Sequence, residues 1–127
     1  MLIPLFKSEF VMNTKHFKVS EFKCKCGKCE TKLDKELLSV LELVRLRFGQ
    51  PVIITSGYRC PTHNANVGGA SKSKHMEGIA ADIKVKNTSP DTVYAYLDEI
   101  YPTSYGVGLY KSWVHIDVRP NKARWGK

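Results

Sequence analysis

Two short stretches of this chain carry side chains that could bind a metal ion. In the first, His75 precedes Asp82 by seven residues, with Gly78 and Ala80 between them. That spacing does not place both side chains on one face of a helix, but it suits a loop histidine that meets a carboxylate on the next strand. Small residues between the two let the backbone approach an ion closely. This stretch therefore supplies two candidate ligands.

The second stretch is the alternating run that begins at Trp113. In a strand, alternate side chains share a face, so Trp113, His115 and Asp117 are predicted to point one way and the apolar residues between them into the core. Two histidines and one carboxylate (His75, His115 and Asp82) would leave one position of a tetrahedral zinc open for water, as in catalytic sites. Zinc lowers the pKa of that water and polarises a carbonyl, as amide hydrolysis requires. Spacing alone does not establish this zinc site, because a strand histidine is often only a half-buried polar residue.

The four cysteines form a second candidate site. Cys24, Cys26 and Cys29 are closely spaced, and Cys60 stands three residues before His63. One interpretation is a structural zinc site that ties the N-terminal segment to the loop after the first strand, with Cys26, Cys29, Cys60 and His63 as ligands. Disulfides among the four cysteines are the alternative if the protein works outside the cytoplasm, and reduced thiols are the third possibility. The lysines between the thiols favour metal binding or oxidation over inert packing.

Helical periodicity predicts two helices that would support these sites. Apolar residues recur at helical spacing over residues 33–48. Thr31 is placed to cap this helix, with Asp34 three residues later, and Gly49 followed by Pro51 is placed to end it. A second helix is predicted to open at residues 89–91, which read Ser-Pro-Asp, and to run to about residue 101.

Four strands are predicted around those helices. Residues 52–55 are β-branched and predict a buried strand, and residues 79–85 predict a second one. Residues 105–110 and 113–118 predict a hairpin that turns at Lys111 and Ser112. The Gly-, Asn- and Ser-rich residues 61–74 predict a long loop, which in a compact domain is usually functional. The whole pattern predicts one α+β domain over residues 1–127, with a small, mainly antiparallel sheet and flanking helices.

The amino-acid composition limits the kinds of partner that this protein is expected to bind. Twenty Lys and Arg against twelve Asp and Glu give a net charge of +8, which would attract nucleic acid, an anionic membrane or an anionic cell wall. No uncharged run is long enough to span a membrane. Residues 1–12 are interrupted by Pro4, Lys7 and Glu9, and no small-residue cleavage site follows, so we expect cytoplasmic synthesis without a signal peptide.

The stretch around His75 also matches a family signature. Every fixed position of the S-x-H-x-x-G-x-A-x-D signature of the zinc D-Ala-D-Ala carboxypeptidase family is present, as Ser73, His75, Gly78, Ala80 and Asp82. Residues 56–59 resemble the SGYR segment of that family, and His115 resembles its third zinc ligand. The resemblance covers about residues 20–125. The family includes phage L-Ala-D-Glu endopeptidases and vancomycin-resistance dipeptidases, and it shares its fold with the hedgehog signalling domain.

The resemblance implies a hedgehog/DD-peptidase-like fold and a zinc-dependent peptidase that acts on peptidoglycan stem peptides or their cross-links. The implied zinc ligands are His75, Asp82 and His115. Arg59 would anchor the substrate or stabilise the developing oxyanion, and we expect Ser73 and Trp113 to help bind the substrate. A phage-type endolysin that acts on the wall after release fits a small monomer of this kind. Its partners would be stem peptides and the anionic wall, rather than a membrane or nucleic acid.

One position departs from the family pattern. Many members have an acidic residue three positions before the last histidine, where it serves as the general base, but this chain has Ser112 there. The nearby carboxylates are Asp117 and Glu77. We expect Asp117 to act as the base or as a hydrogen-bond partner of a ligand, although an ordinary salt bridge with Arg119 or a lysine explains it equally well.

Two other functions stay open at this point. A basic module with a cysteine knuckle would bind nucleic acid, but it would leave the histidine and aspartate stretches unexplained. A non-catalytic metal-binding relative is kept open by the missing acid at Ser112.

Overall fold

The computed structural model describes residues 13–126. Residues 1–12, over which the sequence predicts no secretion signal, lie outside this range. Within it, helices pack on a five-stranded sheet, which confirms the predicted α+β class. Over the same residues, no helix combines the length and apolar character that crossing a membrane requires.

Helix α1 spans Lys35–Phe48 and packs its apolar stripe into the core, as the helical spacing predicts. Its N-cap is Asp34, whose carboxylate accepts the N–H of the second helical residue, so the predicted cap, Thr31, is wrong. Asp34 lies directly before the first helical residue with extended backbone angles, which is where a short acceptor reaches a free N–H. Gly49 ends the helix in the left-handed conformation, with φ of 63°. The buried residues of the stripe are Leu37, Leu38, Val40, Leu41 and Val44.

Two further α-helices and two 3-10 helices complete the helical part of residues 13–126, and the first 3-10 helix spans Val19–Phe22. Helix α2 spans Pro61–Asn66, and a 3-10 helix spans Lys74–Glu77, so the prediction of one continuous loop over residues 61–74 is wrong. Proline at the first position starts α2, which is too short to show helical periodicity in the sequence. Helix α3 spans Pro90–Ile100, which confirms the predicted second helix, and the Ser89 hydroxyl caps it.

The sheet has the strand order β1-β2-β4-β3-β5. Its strands are β1 (Val52–Ser56), β2 (Ala80–Val85), β3 (Gly106–Leu109), β4 (Val114–Asp117) and β5 (Ala123–Trp125). All neighbouring pairs are antiparallel except β3 and β5, which confirms the mainly antiparallel sheet and the hairpin of β3 and β4. The three-residue β5 was not predicted, because so short a strand carries no readable alternation.

The register of the central strands positions the candidate ligands. On β2 and β4, Asp82 pairs with His115 across the sheet. On the other side of β4, His115 pairs with Gly108 of β3. On β1, Ser56 pairs with Asp82 next to an irregularity in the ladder. Two predicted ligands 33 residues apart in the chain are therefore neighbours on adjacent strands.

Candidate active site

His75, Asp82 and His115 converge at the floor of a cleft. One ligand atom from each lies within 4.8 Å of the others. The Oδ1 atom of Asp82 is 3.3 Å from Nε2 of His75 and 3.2 Å from Nδ1 of His115. All three residues are buried. The structure thus brings together the set that the sequence proposes.

The hydrogen bonding of His75 leaves one ring nitrogen free. Its Nδ1 lies 2.8 Å from the carbonyl oxygen of Gly57. Because a carbonyl oxygen only accepts, Nδ1 carries the hydrogen and Nε2 keeps a lone pair. That Nε2 is buried and has no hydrogen-bond partner. A buried lone pair that faces a carboxylate is unfavourable unless a cation lies between them.

The backbone around His75 is held from two directions. The hydroxyl of Ser73, which caps the 3-10 helix, accepts the N–H of His75 at 3.2 Å. The N–H of Arg59 donates to the carbonyl oxygen of His75 at 3.1 Å. Ser73 and residues 56–59 therefore position this ligand, which gives the two matched sequence motifs one shared structural task.

His115 is oriented by Asp117. Its Nε2 lies 2.7 Å from Oδ2 of Asp117, so Nε2 donates and Nδ1 faces Asp82. Both histidines thus direct a nitrogen toward the same carboxylate oxygen. Two imidazole nitrogens and one carboxylate are the ligand types that a catalytic zinc uses, with a fourth position left for water. The residues present therefore fit a zinc ion.

Asp117 has no exposed surface. Its Oδ1 accepts from the N–H and Nε of Arg119 and from the N–H of Gly106, and its Oδ2 accepts from Nη2 of Arg119 and from His115. Burial opposes ionisation, but the bonds from Arg119 and His115 outweigh it and hold the pKa of Asp117 well below its usual range. Of the roles expected for Asp117, this geometry supports orientation of His115. It gives no support to a general base, because both oxygens are occupied and neither meets the cleft.

The charge of the site suits a cation. Burial opposes ionisation of Asp82, but the imidazoles of His115 and His75 beside it outweigh burial and keep the pKa of Asp82 well below its ordinary value. Burial likewise opposes the charged form of His115, but Asp117 and Asp82 raise the pKa of that ring. A carboxylate that stays ionised between two imidazoles is the electrostatic arrangement of a metal site.

Arg59 lies beside this cluster. Its Nη2 is 3.5 Å from Oδ2 of Asp82, and its Nε donates to the hydroxyl of Ser56 at 3.2 Å. Its Nη1 donates to Oδ1 of Asn64 at 3.3 Å. Asn64 is buried and also donates to the carbonyl oxygen of Ala70, so it fixes the loop that follows α2. The sequence analysis missed Asn64, because a single asparagine in a polar loop carries no distinguishing signal.

Residues 15–117 match the peptidase M15 family. The chain belongs to this family. A stretch of 44 residues is 48% identical to the zinc D-Ala-D-Ala carboxypeptidase of Streptomyces albus G, and it covers 34% of this chain and 17% of that protein. The family that the sequence motifs resemble is thereby confirmed.

The cleft of this member of the M15 family is basic with aromatic walls. Its cationic side chains are Arg59, Lys72, Lys74 and Arg119. Tyr110 and Trp113 stack with ring centroids 4.6 Å apart, and Trp125 lies 5.0 Å from the ring of His115. Among the described residues that line the cleft, Asp82 is the only carboxylate. Ser73 and Trp113, both expected near the substrate, do face this cleft.

Neither Ser112 nor Glu77 is among the residues that line the cleft. Ser112 lies in the turn between β3 and β4 and lines a separate cavity with Ile83 and Val114. Glu77 is exposed and pairs with Lys74 at 3.1 Å. The usual acid position of the family is therefore displaced from the metal ligands in this chain.

The predicted cysteine site forms with a different membership. The sulfur atoms of Cys24, Cys26, Cys29 and Cys60 lie within 4.8 Å of one another, and His63 is not part of the group. The predicted ligand His63 therefore needs correction to Cys24. Cys60 is the N-cap of α2 and has extended backbone angles, whereas His63 lies within the helix. The two residues are therefore not stacked on one helical face, as two helical residues three positions apart would be.

Proposed function

We propose that this chain is a zinc-dependent peptidase that hydrolyses peptide bonds of bacterial peptidoglycan, as a D-Ala-D-Ala carboxypeptidase or a cell-wall endopeptidase of the phage endolysin type. In that role it acts on the wall after release from the cell that makes it. The observation that carries the proposal is the buried, unpartnered Nε2 of His75, which faces Asp82 beside His115. Membership of the M15 family and the similarity to the Streptomyces albus G carboxypeptidase support it.

The ligands would be His75 through Nε2, His115 through Nδ1 and the carboxylate of Asp82. A zinc ion bound there supplies a water of lowered pKa and an electrophile for the substrate carbonyl. The contribution of the chain itself is to fix the orientation of these ligands. The carbonyl oxygen of Gly57 and the carboxylate of Asp117 each fix one imidazole in the tautomer that leaves the required nitrogen free.

Arg59 is the residue best placed to act on the substrate. Its guanidinium lies in the cleft beside Asp82, and Ser56 and Asn64 restrict its motion. A guanidinium donates two parallel hydrogen bonds to a carboxylate or stabilises a developing oxyanion. Stem peptides are rich in carboxylates, so a cleft with four cationic side chains suits them electrostatically. The stacked rings of Tyr110 and Trp113 would form an apolar wall for the peptide backbone and methyl groups.

The decisive experiment is digestion of purified peptidoglycan by the zinc-loaded protein. Release of free D-Ala indicates a carboxypeptidase, and new amino termini indicate an endopeptidase, whose cleaved bond mass spectrometry of the fragments identifies. His75→Ala serves as the inactive control. If the protein contains zinc and releases neither free D-Ala nor new amino termini, the proposed activity is refuted.

A non-catalytic metal-binding relative is the second candidate. The observation that favours it is that Asp82 is the only carboxylate among the described cleft residues, so no second acid stands ready as a base. Binding of zinc and stem peptides without cleavage, under conditions where a known wall hydrolase cuts the same substrate, would select this candidate.

A further inference from the structure

The four cysteines of the chain lie together at the junction of two segments that are distant in sequence. Cys24, Cys26 and Cys29 come from the N-terminal segment, and Cys60 directly follows Arg59. All four are free thiols, and Cys24 is buried. We propose that Cys24, Cys26, Cys29 and Cys60 bind a second, structural zinc ion that fastens the N-terminal segment to the active-site segment at residues 57–60.

The sulfur positions suit a tetrahedral metal site. Cys24 Sγ lies 3.7 Å from Cys60 Sγ, and Cys26 Sγ lies 3.4 Å from Cys29 Sγ. Zinc–sulfur bonds of about 2.3 Å place two sulfurs of a tetrahedron about 3.8 Å apart. A disulfide needs about 2.05 Å between the two sulfurs. Both measured distances therefore match an edge of the zinc tetrahedron far better than a bond.

Backbone N–H groups point at two of these sulfurs. The N–H of Lys28 lies 3.3 Å from Cys26 Sγ, and the N–H of Cys60 lies 3.4 Å from Cys24 Sγ. A thiol sulfur is a weak acceptor, whereas a thiolate accepts strongly, so these donors favour the charged form that binds metal. Gly27, with φ of 73°, allows the tight turn that brings the N–H of Lys28 back to Cys26.

A zinc ion would also balance the charge of the cluster. Four thiolates in close contact repel one another, and a divalent cation between them offsets that repulsion. Lys23 directly precedes Cys24, and Lys25 and Lys28 lie between the three N-terminal cysteines. These lysines would offset the net negative charge of a four-thiolate zinc site.

The site would support the catalytic cluster through the backbone. The N–H of Tyr58 donates to the carbonyl oxygen of Phe22 at 2.8 Å, two residues before Cys24. Gly57 packs so closely on Phe22 that an added Cβ would lie 2.6 Å from its Cα. The carbonyl oxygen of Gly57 is also the acceptor for His75 Nδ1. A zinc ion that joins Cys24 to Cys60 would therefore hold the segment that orients His75 and carries Arg59.

Metal content provides the first test. Full-length protein purified without chelator should contain about two zinc ions per chain, and both Cys29→Ser and His75→Ala should contain about one. The double variant should contain none. His63→Ala is the matched control, since His63 lies three residues after Cys60 but does not belong to the cluster, and it should keep both ions. Loss of a zinc ion from His63→Ala, with retention in Cys29→Ser, would overturn the ligand set.

Cobalt substitution tests the wild-type protein directly, so the test does not depend on the folding of a cysteine variant. Cobalt(II) bound at the cluster should show intense thiolate-to-metal charge-transfer absorption in the near ultraviolet. That band should persist in His75→Ala, because the proposed site is independent of the histidine ligands. Absence of the band, together with a single zinc ion per chain, would overturn the proposal. Intact mass of the unreduced protein that shows two disulfides would overturn it as well.

Discussion

The Nε2 atom of His115 donates to a carboxylate oxygen of Asp117 at 2.7 Å, and that carboxylate has no exposed surface. Asp117 thus acts on the metal site only through the ring of His115. Arg119 occupies both oxygens of Asp117, so ligand, orienting carboxylate and guanidinium form one connected chain. This arrangement separates a positioning role for Asp117 from a role as a base.

For Asp117→Asn, we expect zinc affinity to fall by a factor of about 10–100, and peptidase activity to recover largely when excess zinc is added. The neutral amide orients His115 less strongly than the carboxylate does. Competition with a chelator of known affinity measures the change. Asp98→Asn is the matched control, since Asp98 pairs with Arg124 at the surface, and its zinc affinity should be unchanged. Normal zinc affinity with kcat reduced by about 10² or more would instead indicate a base.

For His75→Ala, we expect loss of peptidoglycan hydrolysis with a folded protein. The residue supplies a ligand from a short 3-10 helix at the cleft and makes no large contribution to the apolar core. Chelation of the wild-type protein should abolish activity in the same way, and added zinc should restore it. Circular dichroism checks the fold. Wild-type turnover in the variant would mean that His75 is not a ligand.

For Ser112→Glu, we expect no gain in kcat, even though it restores the acid found at this position in many relatives. Ser112 lines a cavity with Ile83 and Val114 on the other side of the strand from the zinc ligands. The new carboxylate would therefore not reach the metal-bound water. Ser112→Gln is the control of equal size. An increase in kcat with Glu but not with Gln would show that this position reaches the site after all.

For Gly108→Ala, we expect a loss of stability of about 1–3 kcal/mol, from overpacking at the site. An added Cβ would lie 2.3 Å from the ring of Trp125, which itself packs against His115. Urea unfolding measures the free energy of unfolding. In the Trp125→Ala background the same substitution should cost much less, because the clashing ring is gone. Equal costs in both backgrounds would assign the effect to the backbone.

The Glu42 carboxylate should make stability depend on pH. It accepts from the hydroxyl of Thr14 at 2.6 Å and from the N–H and Nδ1 of His16 at 2.8 and 2.6 Å. Burial raises the pKa of Glu42, but these bonds outweigh it and lower the pKa below its ordinary value. A depressed folded-state pKa stabilises the protein above the unfolded pKa of about 4.3, and this stabilisation is lost as the pH falls through the folded value.

We therefore expect Glu42→Gln to destabilise the protein by about 1 kcal/mol at neutral pH, with the difference from wild type shrinking in acid. Urea unfolding at several pH values measures it. Glu99→Gln, on the exposed face of α3, is the control and should show no such trend. A wild-type advantage that is the same in acid as at neutral pH would contradict the assignment.

The sequence by itself determined the features that local patterns carry. The apolar spacing predicted α1 and its buried face, and β-branched and alternating runs predicted four of the five strands among residues 13–126. The matched motifs indicated His75, Asp82 and His115 as a set, and the structure brings them together. Periodicity, turn residues and motif spacing are properties of a few neighbouring residues, so they can be read without the fold.

Only the tertiary structure decided how those residues are used. His75 is oriented by the carbonyl oxygen of Gly57, 18 residues away, so the chain alone did not reveal which ring nitrogen faces the metal. The same holds for Asp117, whose expected roles separate only when its burial and its bonds to Arg119 are known.

The residues that form the cysteine cluster likewise could not be identified from the sequence alone. His63 had the better sequence spacing, but Cys24 takes its place because the N-terminal segment packs on residues 57–60. Ser112 matched the family position by counting, yet it lies in the turn before β4 and lines another cavity. Contacts between distant segments depend on register and packing, in which a shift of one residue reverses the face of every side chain in a strand. No local sequence pattern determines which of these residues face the two sites. The packing of the folded core determines it.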